Sequence, residues 1–215
     1  MEMRLLDMDT YPRKSHFEHF LSMQNPFLGI TVSMDVTRLH RLCTARNRSF
    51  FLAFLHLSAL AFQDIPEFRQ RIHGRQIVEY SGLGTSHIEM GPDGVYTYCS
   101  LVHDLPWDQF WPYAESERAR CREHGSIEES SNVDAEIFVT CLPWLHYTQF
   151  FQPTDPSVSN PSIAWGRFEE DPQHRLMMPV TVYAHHALVD GRQIARFYDN
   201  LGQIIHGLDG ERLQP

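Results

Sequence analysis

The segment from Phe51 to Phe62 is almost entirely apolar, and this feature limits the folds open to the chain most strongly. A helix that is apolar on every side must lie between other elements rather than on a surface. Pro66 cannot continue such a helix, so we expect it to end there. His56 and Ser58 interrupt the run, which is shorter than the ~18 residues of a membrane span. The segment therefore predicts a buried core helix and no membrane span.

Alternating apolar residues predict a pair of strands later in the chain, at Thr85–Glu89 and Val95–Val102. The Gly91–Gly94 segment between them has the composition of a hairpin turn. Strands and helices interleave elsewhere without a strict βαβ repeat. A mixed sheet with helices packed on it is therefore favoured over a doubly wound parallel sheet. We predict an α/β or α+β fold in one domain that spans residues 1–215.

Shorter periodic segments predict the remaining elements. Ser15 and Thr37 are expected to cap short helices, and Asp104 or Asp108 to begin a long helix that runs to about Glu123. Further elements are expected at 30–36, 76–80, 136–141, 163–168, 176–186 and 192–205, all strands except the last, which is a helix.

The charge of the chain argues against one class of partner. There are 27 acidic and 18 basic residues, which gives a net charge of −9. Binding to nucleic acid needs a surplus of lysine and arginine, so no nucleic-acid partner is expected.

The first residues lack the basic and apolar regions of a secretory signal, which favours a cytoplasmic location. Four scattered cysteines without a C-x-x-C pair predict neither a zinc site nor a disulfide framework.

The strongest functional signal is the segment from Pro179 to Gly191, in which an apolar strand ends in two histidines before an Asp-Gly turn and a helix. Neighbouring side chains on a strand point to opposite faces, so His185 and His186 are not expected to bind one metal ion. His186 has the same parity as the buried strand residues, which places it at the rim of their face, where a partly desolvated imidazole can act as a base. Asp190 either caps the helix or forms an ion pair. A histidine with satisfied hydrogen bonds beside a helix cap fits this segment equally well.

The segment resembles the H-H-x-x-x-D-G motif of the trimeric, histidine-base chloramphenicol acetyltransferases, which dihydrolipoamide acyltransferase cores share less strictly. Other segments are similar to the acetyltransferases in the same order along the chain, from about residue 7 to residue 206. They are YPRKSHFEHF from Tyr11, LPWLHYTQF from Leu142, PSIAWGRF from Pro161 and GRQIARF from Gly191.

The resemblance implies a two-layer fold around a mixed β-sheet, a homotrimer, and active sites between subunits. It implies transfer of an acetyl group from acetyl-CoA to a hydroxyl of chloramphenicol or a similar small alcohol, in a ternary complex without an acyl-enzyme. His186 is then the general base, and Asp190 forms a buried salt bridge with Arg13 that fixes the histidine loop. The sequence contains no G-x-S-x-G elbow or other obvious activated nucleophile, which agrees with direct transfer.

Three positions near the expected acceptor depart from the pattern of that family. Gln149 occupies the position of the serine that donates to the oxyanion, and its neighbour Thr148 should face the other way. Ala164 replaces a threonine that helps to hold a water, and Phe20 replaces a pocket tyrosine. Loss of one oxyanion donor costs about 10²- to 10³-fold in rate. These departures argue against chloramphenicol itself as the acceptor, whereas the expected base, salt bridge and fold are unaffected.

The CoA end of the site is expected at Phe51, Arg167 and Phe168, which match an aromatic of the CoA tunnel and a basic-aromatic pair beside the adenosine. The planar guanidinium of arginine can donate two parallel hydrogen bonds to a phosphate, so Arg167 and Arg48 are the candidate phosphate ligands. Ordinary solvated surface arginines explain both positions as well.

Two other functions compete with acetyl transfer. The chain can keep the fold and bind a small molecule with weak or no catalysis, because Gln149 replaces the serine. It can also be the core of a dihydrolipoamide acyltransferase. That function would need lipoyl and peripheral-subunit-binding domains, and the sequence contains neither.

Overall fold

A computed structural model describes residues 1–208, and within them the chain forms ten strands and five α-helices. The strands are β1 (Met3–Leu5), β2 (Phe27–Asp35), β3 (Gln70–His73), β4 (Gln76–Tyr80), β5 (Gly84–Met90), β6 (Tyr96–Val102), β7 (Glu136–Leu142), β8 (Ser162–Gly166), β9 (Glu169–Glu170) and β10 (Leu176–His185). The helices are α1 (Lys14–Leu21), α2 (Thr37–Ala45), α3 (Phe50–Gln63), α4 (Trp107–His124) and α5 (Gly191–His206). The predicted single domain also includes residues 209–215, which lie outside the described part.

The larger sheet has the strand order β2-β10-β8-β7-β5-β6, and β9 pairs with the first part of β10. Pairs β5–β7 and β7–β8 are parallel, whereas β10 is antiparallel to both of its neighbours and β5 is antiparallel to β6. This mixed sheet with helices confirms the predicted fold class. A second sheet has the order β1-β4-β3, and the sequence pattern predicted only its strand β4.

Helix α3 is buried almost throughout, as its composition predicted. The side chain of Ser49 accepts a hydrogen bond from the backbone N–H of Leu52 and so caps the helix. At the other end, Phe62 stacks on Phe197 of α5 with the ring centroids 4.1 Å apart. The helix can be apolar all round because it lies inside the main cluster of buried side chains.

Two predicted helix caps are wrong. Arg13 occupies the N-cap position of α1, so Ser15 lies inside that helix. Thr37 is the first residue of α2, and its hydroxyl donates to Asp35 at 2.6 Å and accepts from the backbone N–H of Leu176 at 2.8 Å. The hydroxyl joins the end of β2 to the start of β10 and is not available to cap the helix.

The hydroxyl of Tyr198, on α5, lies between the paired strands β2 and β10. It accepts a hydrogen bond from the backbone N–H of Val182 at 3.1 Å. It lies 2.8 Å from the carbonyl oxygens of Ile30 and Val180, and it donates its single proton to one of them. Ile30 and Val182 are register partners, so a helix side chain takes part in the hydrogen bonding of the sheet at this pair.

Two buried histidines contact each other between α3 and the end of β6. The Nδ1 atoms of His56 and His103 are 3.1 Å apart, and Nε2 of His103 lies 2.8 Å from the hydroxyl of Thr85. Phe110 stacks on His56 with the ring centroids 4.1 Å apart. Burial lowers the pKa of His56 to about 4 and lowers that of His103 well below its usual range. Both imidazoles are therefore neutral at pH 7.

We expect the midpoint of thermal unfolding to fall as the pH is lowered from about 6.5 towards 4. In the unfolded chain these histidines bind a proton below their ordinary pKa of about 6.5, whereas the folded pair excludes it. The stability is therefore fully present above that pH and is lost towards the lowered pKa. For His56 the shift to about 4 corresponds to about 3 kcal/mol. Calorimetry at a series of pH values measures the effect.

His56→Asn removes one of these histidines and should make the decline shallower. His124→Gln changes an exposed histidine at the end of α4 and should leave the decline as it is. An equally steep decline in both variants would contradict the assignment to the buried pair.

Candidate active site

The site is built on the turn that follows β10. The strand ends at His185, where the carbonyl oxygen accepts the backbone N–H groups of Leu188 and Val189 at 3.0 and 3.1 Å. The backbone N–H of His186 donates to the carbonyl of Pro26 at 2.6 Å. His186 therefore lies on a tight turn directly after the strand and is half-buried, as expected for a residue at the rim of the buried face. The turn, rather than strand alternation, determines where its ring points.

The ring of His186 stacks on Phe20 of α1, with centroids 3.8 Å apart and planes 11° apart. Its Nδ1 atom is buried and has no hydrogen-bond partner among residues 1–208. The residue as a whole is only half-buried. Nε2 is thus the ring nitrogen that is free to meet a substrate.

Asp190 both caps α5 and forms an ion pair, the two roles that the sequence left open. One carboxylate oxygen accepts the backbone N–H of Arg192 at 2.9 Å, and the Gln193 side chain accepts the backbone N–H of Asp190, which completes a capping box. The other oxygen accepts Nη1 of Arg13 at 2.5 Å. The side chains of Arg13 and Asp190 are 18% and 36% exposed, so within one chain the pair is partly exposed rather than buried as expected.

Helix α1 holds both ends of the turn. Arg13, Phe17 and Phe20 recur at a spacing of four and three residues, which brings them to one face of the helix. Phe17 is buried in the core and anchors that face. The start of the helix therefore reaches Asp190 while its last turn covers His186.

The residues expected near the oxyanion lie elsewhere in the same chain. Ala164 is buried in β8 opposite Thr181, and the Tyr147 hydroxyl donates to its carbonyl at 3.0 Å. Thr148 and Gln149 are exposed on the loop between β7 and β8. Among residues 1–208, no hydrogen bond or ring contact joins any of these side chains to His186. Thr181 is five residues before His186, a distance of roughly 16 Å along an extended strand.

The aromatic residues expected at the CoA end lie near the start of α3. Phe51 packs against Trp165, with ring centroids 5.6 Å apart. Phe168 packs against Phe50 at 5.7 Å and His40 at 5.0 Å. Since Phe50 and Phe51 are consecutive, the structure brings Phe51 and Phe168 to the same end of the helix, although their rings are not in contact.

The two arginines predicted for the phosphates are already engaged within the chain. Arg167 is exposed and forms an ion pair with Glu169 at 2.8 Å. The guanidinium of Arg48 lies 5.3 Å from the centre of the Trp111 ring. Neither contacts the Phe51 ring.

Arg118 was not predicted as a site residue, yet its guanidinium lies 4.9 Å from the centre of the Phe51 ring. Arg118 and Arg122, one helical turn apart on α4, both bind the carboxylate of Glu89, and His87 also donates to it. Burial raises the pKa of Glu89, but the hydrogen bonds from His87 and Arg118 lower it to about 2. Two guanidinium groups thus share one carboxylate, which leaves a net positive charge beside Phe51. The four-residue spacing of the two arginines indicates that they share one face of the predicted helix, but it does not indicate that this face meets Phe51.

One face of the larger sheet carries large apolar side chains that nothing in the described chain covers. Ile88 and Met90 of β5 lie opposite Tyr98 and Tyr96 of β6, and all four are exposed. They alternate with His87 and Glu89, which are buried on the other side of the strand. An apolar face of this kind is typical of a contact with another molecule.

The sequence predicts neither a metal site nor a membrane-spanning helix. Residues 1–208 contain no group of three or more His, Cys, Asp or Glu side chains that could hold a metal ion. In the same part of the chain, none of the helices is both long enough and apolar enough to span a bilayer.

The chain is similar to known proteins over almost its whole length. The family model described as chloramphenicol acetyltransferase matches residues 1–202. A chloramphenicol acetyltransferase of Bacillus pumilus is 23% identical over 94% of this chain and 93% of its own. One of Escherichia coli is 25% identical over 92% and 91% of the two chains.

Solved structures share the fold. A chloramphenicol acetyltransferase structure superposes with a TM-score of 0.86 at 24% identity and covers 95% of this chain and 100% of that one. A dihydrolipoamide acetyltransferase of Azotobacter vinelandii superposes with a TM-score of 0.70 at 16% identity over 90% and 86% of the two chains.

We expect Asp190→Asn to lower the free energy of unfolding at pH 7 by about 1 kcal/mol, because asparagine keeps the helix cap but loses the ion pair. Burial raises the pKa of Asp190, but Arg13 and the amide of Arg192 lower it below its usual value. The stabilisation is therefore present above about pH 4 and is lost as the pH falls through the lowered pKa. Denaturant unfolding of both proteins at several pH values measures the difference.

A double-mutant cycle with Arg13→Gln separates the pair from the cap. The exposed Lys14–Asp9 pair is the control, since Lys14→Gln should change the stability by much less. A coupling energy of zero between positions 13 and 190 would contradict a stabilising ion pair.

Proposed function

Because the chain belongs to the chloramphenicol acetyltransferase family, a family of acyltransferases, we propose that it transfers the acetyl group of acetyl-CoA to a hydroxyl of chloramphenicol or of a similar small alcohol. The observation that carries the proposal is the turn after β10. There His186 is stacked on Phe20 and the Arg13–Asp190 pair closes the loop. Acetylation of the drug would make antibiotic resistance a role of the protein.

His186 is the proposed general base. Nε2 takes the proton of the acceptor hydroxyl while the oxygen forms a bond to the thioester carbonyl carbon of acetyl-CoA. The tetrahedral intermediate then collapses, the carbon–sulfur bond breaks, and the imidazolium returns the proton to the CoA thiolate. The products are the acetyl ester and CoA, and no group of the protein is acylated. Arg13 and Asp190 position the turn and exchange no proton with the substrate.

Gln149 is the proposed donor to the oxyanion, in place of a serine. Its amide N–H₂ can donate, but it lies two bonds further from the backbone than a serine hydroxyl. Thr148, Ala164 and Phe20 are proposed to line the acceptor pocket. With Ala164 and Phe20, two side chains that would offer hydroxyls are apolar, so the pocket favours an acceptor that needs fewer hydrogen bonds there.

We propose that the protein is a homotrimer with an active site at each subunit interface. Gln149 and Ala164 do not contact His186 within one chain, and a neighbouring copy can supply them to it. The exposed face with Ile88, Met90, Tyr96 and Tyr98 supports an assembly, because burial of these side chains against another copy is favourable.

The CoA end is proposed to lie at the start of α3, between Phe51, Phe168 and the nearby arginines. Arg118 has the strongest support among these, because it lies on the Phe51 ring and belongs to a cluster with a net positive charge. Arg167 and Arg48 stay candidate phosphate ligands. Each would have to leave its present contact with Glu169 or Trp111 to bind a phosphate.

A second function is favoured by one observation, the replacement of the oxyanion serine by Gln149. The chain would then bind a small alcohol with little or no turnover, or acetylate an acceptor other than chloramphenicol. Binding without turnover releases no CoA, whereas acetylation of another acceptor releases CoA only when that acceptor is present. One assay of CoA release with a panel of alcohols therefore separates these cases.

We expect the protein to release free CoA from acetyl-CoA when chloramphenicol or another alcohol from a panel is added. His186→Ala should abolish this release, since the variant lacks the imidazole proposed to take the proton of the acceptor hydroxyl. The thiol of CoA is measured continuously with a chromogenic disulfide. Release that persists at the same rate in His186→Ala would contradict the role of the base.

His174→Ala, at an exposed position distant in the sequence from the turn, is the matched control and should keep the wild-type rate. Sedimentation of the three proteins should record a trimer in each case, which excludes misassembly as the cause of lost activity. Monomers at micromolar concentration would contradict the proposed assembly. Binding of chloramphenicol without any CoA release from the panel would favour the second function.

Gln149→Ser should increase the rate of chloramphenicol acetylation if the missing hydroxyl limits the reaction. A restored oxyanion donor is worth up to about 10²-fold. The ratio kcat/KM for chloramphenicol is the relevant quantity, with Gln152→Ser on the same loop as a control. An unchanged or lower ratio would mean that the glutamine amide already serves the oxyanion.

A further inference from the structure

The first histidine of the pair, His185, has no part in the proton transfer proposed above, yet its ring is fixed in one orientation. The residue is 2% exposed and ends β10 opposite Phe27. Its ring packs edge-to-face on Phe27, with the centroids 5.2 Å apart. Its Nδ1 atom accepts the backbone N–H of Ala187 at 3.2 Å.

This hydrogen bond completes the turn. The backbone N–H of His186 is bound by Pro26, those of Leu188 and Val189 by the His185 carbonyl, and that of Asp190 by Gln193. Ala187 supplies the one remaining amide, and the His185 ring is its acceptor. A buried amide without an acceptor is costly, so loss of this ring atom would leave the turn with one unsatisfied group directly after His186.

Nδ1 can accept only if it carries no proton. Burial, and then the neighbouring His186, lower the pKa of His185 to about 4. The ring is therefore neutral at pH 7, and the contact with Ala187 assigns its proton to Nε2.

We propose that His185 is a positioning residue for the base, because its Nδ1 atom holds the Ala187 amide and thereby fixes the turn that presents His186 to Phe20. This inference rests on the proposed function of His186. His185 takes no part in a chemical step under this proposal. Substitution of His185 should therefore lower kcat, the rate of reaction in the enzyme–substrate complex, rather than weaken substrate binding.

Two polar substitutions distinguish the ring atom from the ring as a whole. In His185→Asn the amide oxygen can take the place of Nδ1, whereas in His185→Gln it lies one bond further out, near the position of Nε2. Both lose the packing against Phe27, so both should lower the thermal midpoint. His185→Gln should lower it further, because it also leaves the buried Ala187 amide without an acceptor. We expect His185→Asn to keep kcat within about threefold of wild type and His185→Gln to lose about 10- to 100-fold, with KM for both substrates nearly unchanged.

Crystal structures of the two variants supply a readout that needs no turnover. The stack between Phe20 and His186, 3.8 Å in the wild type, should persist in His185→Asn and be lost in His185→Gln. Equal kcat in the two variants, a loss that appears in KM, or an intact stack in both would overturn the inference. If the wild type has no turnover with any acceptor, the proposed function fails, and the stacking distances still decide whether His185 positions the turn.

Discussion

The backbone ladder along β10 is the constraint on which the rest of the site depends. This strand is hydrogen bonded to β2 on one edge and to β8 on the other, and most of its residues are buried on both faces. A slip of one residue would exchange the two faces, so the register is strongly fixed. The point at which the ladder ends, at His185, therefore fixes where the chain turns and where His186 emerges.

Helix α1 acts on that fixed turn from outside the sheet. The Arg13–Asp190 pair is partly exposed, and its contribution to stability is modest for that reason. Its main effect is to fix the orientation of the turn. The Asp190 carboxylate already caps α5, and a charge-assisted hydrogen bond to it from Arg13 leaves the turn little conformational freedom. The Phe20 ring, stacked on His186, likewise restricts the first part of the turn. Two weak contacts at opposite ends of one helix thus restrict the turn more than either would alone.

Local patterns predicted the elements that carry the site. Helix α3 and strand β10 are long apolar runs, α5 is amphipathic, and Pro66 and Asp190 are clear end signals. The orientation of His186 was not predictable in this way, since it depends on a hydrogen bond to Pro26, far away in the sequence. Arg118 was missed for a related reason. Its relevance comes from the Phe51 ring on another helix, and no spacing within α4 reveals that contact. The separation of Gln149 from His186 likewise depends on the order of the strands in the sheet. Alternation along a single strand predicts which face a side chain lies on, but it does not predict which strands are neighbours.

The hydroxyl of Tyr198 links the helix layer to the sheet in a way that bears on cooperativity. The amide of Val182 is satisfied by this hydroxyl, and so its protection from exchange with solvent depends on α5 remaining docked. A local opening of α5 would expose an amide in the middle of the sheet, and it would also remove the residues that cap and follow the active-site turn. We therefore expect α5 and β10 to open as one cooperative unit, so that loosening of the turn between them also lowers the protection of amides in the sheet.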